Sequence, residues 1–195
     1  MAEMRPYPAT LTGDLSAPPN RWLWLFKYLL LIPHLIVLYF LGIAAGVVTI
    51  IAFFAILFTG KYPRSLFDFM VGTLRWNWRV NFYSYNVLGT DKYPPFTLEK
   101  APYPADFNVV YPDRLSQGFV LIKWWLLAIP HYIIVYFLEM VMEVLIIVIA
   151  IILLFTGKYP EDLFKFIVGI NRWYYRVISY ALLMTDVYPP FSFDP

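Results

Sequence analysis

His34 and His131 are the only imidazoles in the chain, and each follows a proline inside a strongly apolar stretch. An ionisable group in such surroundings is a candidate for function, because a neutral imidazole nitrogen could ligate a haem iron or the magnesium of a chlorophyll-type pigment. The same residues have a local reading. Pro33 and Pro130 lack an N–H, so the carbonyls of Leu29 and Leu126 lose their helical donors, and the imidazole or a neighbouring helix could help satisfy the defect. Arg75 with Arg79, and Arg172 with Arg176, lie four residues apart. On a helix, two guanidiniums at that spacing could grip the phosphate of a lipid headgroup, or anchor the helix at a membrane surface by snorkelling. Asp91 and Asp186 each follow a threonine; they could be catalytic carboxylates, but aspartate beside proline-rich sequence is ordinary turn chemistry. Glu139 and Glu143 also stand four apart and could bind a cation or a proton, or sit solvated at the apex of a turn.

Nothing completes a catalytic set around these groups. The chain has no cysteine, which removes disulfides, thiolate metal sites and cysteine nucleophiles. No zinc-ligand spacing occurs, and no glycine loop is built to cradle phosphate. The residues point away from an enzyme. No cofactor or metal is expected, with haem or a chlorophyll-type pigment on His34 and His131 as the alternative. A net charge of +2 is too small to suggest nucleic acid.

The elements that must position these side chains are apolar to an unusual degree. Hydrophobic residues make up 61% of the chain and charged residues 14%, against about half and a quarter in soluble domains. The mean hydropathy is +0.62. A soluble core of this size could not hide that excess, so it must face lipid or a partner. The first twenty residues are polar and proline-rich, and no cleavable signal peptide is expected among them.

The chain also repeats itself. Ile32-Pro33-His34 returns as Ile129-Pro130-His131, and Phe58-Thr59-Gly60-Lys61-Tyr62-Pro63 as Phe155-Thr156-Gly157-Lys158-Tyr159-Pro160. Arg75-Trp76 with Arg79 returns as Arg172-Trp173 with Arg176, and Thr90-Asp91-Lys92-Tyr93-Pro94-Pro95-Phe96 as Thr185-Asp186-Val187-Tyr188-Pro189-Pro190-Phe191. Ordered matches at an offset of about 97 residues mean two tandem copies of one unit. This succession of motifs resembles the bacterial domain-of-unknown-function 4389 family over nearly the whole chain. The resemblance implies a bacterial multi-pass membrane protein and assigns no activity.

Each copy contains a long apolar stretch, residues 22–58 and 119–155. A straight helix of that length would run roughly 55 Å, well beyond the ~30 Å hydrocarbon core. Each stretch is therefore expected to fold back as a helical hairpin, at Gly42 and Gly46 in the first copy and at Glu139 and Glu143 in the second, making four transmembrane helices. Two re-entrant hairpins that dip without crossing are the alternative. A proline-started amphipathic helix should follow each hairpin, over 64–85 and 161–183, and lie in the headgroup layer. The Tyr-Pro segments read as extended straps with aromatic anchors. Arg64 with Asp68, and Glu161 with Lys165, swap sign between the copies but keep the spacing of an intrahelical pair.

The expected architecture is thus an all-α integral membrane protein. It has an N-terminal strap (1–20), a first repeat (21–98), a connector (99–118) and a second repeat (119–195). Lysine and arginine avoid both hairpin apices, which places both termini and the connector on the cytoplasmic side of a bacterial cytoplasmic membrane. The expected role is non-catalytic: a scaffold or accessory subunit of a larger membrane complex, in contact with lipid and with a membrane-protein partner or further copies of itself. The alternative is a lipid-, haem- or pigment-binding protein using the two histidines or the four arginines. A small transporter is a third option, but the apolar stretches offer Thr49 and the histidines and little else to line a polar path.

Overall fold

The computed structural model describes residues 7–194; the first six residues of the expected N-terminal strap, and Pro195, lie outside the described residues. The elements run β1 (Ala9–Gly13), α1 (Trp24–Thr59), α2 (Arg64–Tyr83), β2 (Ala105–Val109), α3 (Ile129–Thr156) and α4 (Glu161–Ala181). The protein is mostly helical, with two repeat units each built around one long apolar helix.

The expected hairpins do not form. Residues 24–59 are one continuous helix of 36 residues that passes through Pro33, Gly42 and Gly46. Glu139 and Glu143 likewise lie within α3. Among the described residues two helices are long and apolar enough to cross a membrane, not four. The energetic reason is the backbone. A glycine inside a helix costs only about 1 kcal/mol, whereas a reversal without capping groups would strand several buried N–H and C=O groups. The chain stops where capping is available. Gly60 and Gly157 take left-handed conformations, φ 69° and 68°, and their N–H groups bond back to Ile56 O and Leu153 O. Such a turn is open to glycine and strained for other residues. In the second copy a 3₁₀ turn, Phe119–Leu121, and a π-type turn, Lys123–Leu127, come first. This puts Pro130 in the first turn of α3, where its missing N–H costs nothing.

The helices at 64–85 and 161–183 appear as α2 and α4, shorter by two residues at the C-terminal end. Their i,i+4 pairs close within each helix, Arg64 Nε to Asp68 at 3.0 Å and Lys165 Nζ to Glu161 at 3.9 Å. Their surroundings differ from a free headgroup layer, because most of α2 is buried between α1 and the β-structure. The geometry forces this. His34 lies about 26 residues before Gly60, roughly 39 Å along α1, yet its Nδ1 accepts a hydrogen bond from Trp76 Nε1 at 3.0 Å. Fifteen residues lie between Gly60 and Trp76, most of them helical, and they bring the indole to His34 when α2 runs back along α1.

The fold is not all-α. β1 and β2 pair antiparallel, with Leu11 opposite Phe107 at the centre of the ribbon. Both strands follow a Tyr-Pro pair, Tyr7-Pro8 and Tyr103-Pro104, at matching places in the two copies. The Leu11–Phe107 pair therefore marks a pseudo-twofold axis. The strand that precedes the second copy packs on α2, and the strand that precedes the first packs on α4. The two middle helices meet near the axis. Tyr175 donates to Asn77 Oδ1 at 2.6 Å and its ring lies edge-on to Trp78, while the Tyr159 hydroxyl reaches Val87 O at 2.7 Å.

Each C-terminal strap crosses its middle helix at a glycine. A Cβ at Gly72 would stand 2.7 Å from Leu98 Cβ, and one at Gly169 would stand 2.9 Å from Phe193 Cβ. Gly46 on α1 has open space around it. Gly72→Ala should therefore lower stability by about 1–3 kcal/mol through overpacking, against its better helix propensity. Gly46→Ala should leave stability unchanged or raise it by up to ~1 kcal/mol. Thermal unfolding of the two variants in one detergent checks the contrast.

Candidate functional site

In each copy the motif residues converge where the first part of the long helix meets the strap. The loop entering α1 is tied down first. Asn20 Oδ1 accepts the N–H groups of Trp22 and Leu23, and the Asn20 N–H donates to Asp91 Oδ2. The other oxygen of Asp91 faces Lys27 Nζ at 3.1 Å. Lys27 is fully buried; its ammonium also donates to Thr90 O at 2.6 Å and lies 4.5 Å from the Tyr83 ring. The second copy repeats the arrangement. Ser116 N–H donates to Asp186, and the buried Lys123 reaches Asp186 Oδ1 at 2.7 Å and Thr185 O at 3.0 Å. Asp91 therefore locks the first strap onto α1, and Asp186 locks the second onto the turn before α3, instead of standing free as catalytic carboxylates.

About two turns further along sit the histidines. His34 Nδ1 accepts from Trp76 Nε1, and its ring stacks on Phe96 at 3.9 Å between centroids, with Tyr93 at 4.9 Å. His131 repeats this with Trp173 at 3.1 Å, Phe191 at 4.2 Å and Tyr188 at 4.8 Å. Each ring makes these contacts within its own copy, so the two histidines do not share a site. Accepting at Nδ1 leaves the proton of the neutral ring on Nε2. Both rings are fully buried, and neither Nε2 has a partner among the described residues. A haem or magnesium ion needs an open nitrogen lone pair, and the one on each ring is turned to an indole. The strap bonds the carbonyl next to each expected defect, not the carbonyls of Leu29 and Leu126 themselves. The Tyr93 hydroxyl donates to Leu30 O at 2.9 Å and the Tyr188 hydroxyl to Leu127 O at 3.2 Å. Each of these carbonyls lies three residues before the proline, one place after the carbonyl that a helical proline leaves without a donor.

The arginine pairs lie on the other side of the strap. Arg75 donates to Phe107 O at 2.9 Å, Leu98 O at 3.0 Å and Asn108 Oδ1 at 3.2 Å, and pairs with Asp106 at 3.0 Å. Arg79 donates to Thr97 O and stands 3.6 Å from the same carboxylate. In the second copy Arg172 reaches Leu11 O at 3.3 Å and Phe193 O at 2.8 Å, while Arg176 reaches Ser192 O and Asp194 O. Each pair thus joins the strap of its own copy to the strand that packs on it, with most donors spent on backbone carbonyls. Burial pulls Arg79 and Arg176 below the usual arginine range, and Asp106 opposes the shift at Arg79. Glu139 is half-buried and Glu143 exposed near the middle of α3, with no salt-bridge partner among the described residues.

Residues 21–97 and 121–192 each match the family model described as domain of unknown function DUF4389. The chain belongs to the DUF4389 family. No curated protein and no solved structure matches it. The two DUF4389 segments coincide with the two structural copies, and the clusters around Asp91, His34 and Arg75 all fall inside the first of them. Sequence reasoning missed Lys27 and Lys123 as partners of the aspartates. The signal was present: both are lysines at matching positions in an apolar run, where an ionisable group demands a partner.

The clasp makes an asymmetric prediction. Asp91 is 30% exposed while Lys27 is sealed. Lys27→Met leaves a carboxylate that water can reach and should cost about 1 kcal/mol. Asp91→Ala leaves a buried ammonium with one carbonyl acceptor and should cost about 3 kcal/mol. Denaturant unfolding of both variants and of the double variant checks the order, with the double recovering most of the loss.

Proposed function

We propose that this protein is a non-catalytic membrane scaffold, an accessory subunit seated in one leaflet with α1 and α3 lying along the membrane rather than crossing it. The observation that carries this reading is the run of polar chain packed against α1 from end to end. The buried stripe of α1 includes Lys27, Leu31, His34, Val48, Ala52 and Ile56, and it is covered by α2 and the strap. A crossing α1 would drag Arg75, Arg79 and Asp106 to hydrocarbon depth. A crossing α3 would place Glu139 and Glu143 near the bilayer centre. Each such charge costs several kcal/mol there. Lying flat, the helices keep their polar neighbours at the aqueous side.

The opposite faces suit lipid or a partner helix. Tyr39, Phe40, Ile43, Val47, Ile50 and Phe54 on α1 are exposed, as are Tyr136, Phe137, Val144, Ile147 and Ile151 on α3. An apolar surface of this extent is the mark of a membrane or protein contact. The absence of a catalytic role is supported by how the polar groups are used: lysines, aspartates and arginines of the clusters are bonded to one another or to backbone. A membrane protein or a second copy of the chain is the partner that such helical faces fit.

The chain has no cysteine, so single thiols report cleanly. Ala17→Cys and Lys61→Cys bracket α1 at exposed positions. In oriented membrane vesicles, both should react with an impermeant maleimide from the same side. Labelling from opposite sides would mean that α1 crosses and would sink the in-plane seating. Purification in mild detergent should retain a stoichiometric membrane partner; a bare monomer would count against the scaffold role.

A further inference from the structure

The two copies serve as controls for each other, and their arginine pairs differ in charge. Asp106 sits between Arg75 and Arg79 at 3.0 and 3.6 Å. The pseudo-twofold axis through Leu11 and Phe107 puts Thr10 at the matching place in the second copy. The Thr10 hydroxyl faces Asn108 O across the ribbon and brings no negative charge. Arg172 and Arg176 are left with carbonyl acceptors and no carboxylate within 4 Å among the described residues. Asp194, exposed like its counterpart Glu99, is close enough to be felt by both guanidiniums but does not pair with them. Arg176 is 3% exposed, and its Nε has no hydrogen-bond partner among the described residues.

There is room at the pair. A cavity of about 280 Å³ is lined by Thr10, Leu11, Thr12, Gly13, Arg172 and Arg176, and by the exposed Asp14. A second cavity of about 400 Å³ shares Arg172 and brings both Lys165 and Asp194. Two guanidiniums one turn apart, partly desolvated and with no carboxylate at salt-bridge distance among the described residues, match a tetrahedral oxyanion with several acceptor oxygens.

We infer that Arg172 and Arg176, where the second copy has Thr10 in place of a carboxylate, bind one phosphate-bearing anion, while Arg75 and Arg79 are closed to it by Asp106. Either a free phosphate or the phosphate of a lipid headgroup meets the chemistry. The site does not depend on how the long helices sit in the bilayer.

The test exchanges the residue that carries the difference in charge. The full chain in neutral detergent is titrated with inorganic phosphate by calorimetry, and unfolding midpoints are followed in parallel. Wild type should bind one phosphate. Thr10→Asp copies the first repeat and should weaken binding by about tenfold or more, without lowering the midpoint measured in the absence of phosphate. Asp106→Thr should raise the stoichiometry to two. Flotation with phosphatidylglycerol against phosphatidylcholine vesicles separates the sources. A phosphatidylglycerol preference that free phosphate competes away and Thr10→Asp abolishes identifies the headgroup; a preference untouched by Thr10→Asp, with phosphate binding intact in wild type, identifies the free anion. No saturable binding of phosphate or phosphatidylglycerol to wild type, as expected if the chain's own terminal residues fill the pair, would overturn the inference. So would a Thr10→Asp variant that binds like wild type, or an Asp106→Thr variant that folds and still binds one.

Discussion

A helix that is apolar on nearly every side can offer only one narrow stripe to polar neighbours, and everything that touches α1 must fit along it. The stripe steps by three or four residues, so one line of side chains faces inward over the whole helix. Two of its members, Lys27 and His34, are polar and fully buried. Both need partners that arrive much later in the chain. Trp76 on α2 and Asp91 in the strap supply them. Holding those partners in place requires α2 to run back along α1 and the strap to return along the same line, and the second copy repeats the solution.

The straps create a second demand. An extended segment has carbonyls with no ladder strand to donate to them, and its prolines contribute no N–H groups of their own. Arginine is the complementary side chain, with five donors and no acceptor. Arg75 therefore bonds at once to Leu98 O in the strap and Phe107 O in β2, and Arg172 does the same with Phe193 O and Leu11 O. These residues are buried connectors between backbone segments, which is why their long stems do not snorkel toward a surface.

Much of this was legible in the residues. The duplicated motifs reveal the two copies, the glycine and proline of Phe-Thr-Gly-Lys-Tyr-Pro mark the true end of the long helix and start of the next, and Arg64–Asp68 and Glu161–Lys165 form their pairs within single helices. The hairpins went wrong because length was measured against a bilayer assumed to be crossed at right angles. With that premise a 36-residue helix must bend, and Gly42, Gly46, Glu139 and Glu143 become the places to bend it. Without it they are tolerable residues inside a helix. The ribbon was hidden by brevity. Five residues alternating as Ala9-Thr10-Leu11-Thr12-Gly13 carry little signal alone, and pairing across nearly a hundred residues leaves no local trace. The lysine clasps were visible as charges in apolar sequence, but their partners are about sixty residues away.

The exchange of strands across the Leu11–Phe107 axis has an evolutionary corollary. A single unit, with its own leading strand, long helix, middle helix and strap, contains every surface needed to close the same assembly as a symmetric homodimer, each protomer lending its strand to the other. Fusing two such units end to end keeps the architecture and fixes the partner. It also releases the halves from identity, so that one can keep a carboxylate between its arginines while the other gives it up. Duplication here acts as a licence for asymmetry.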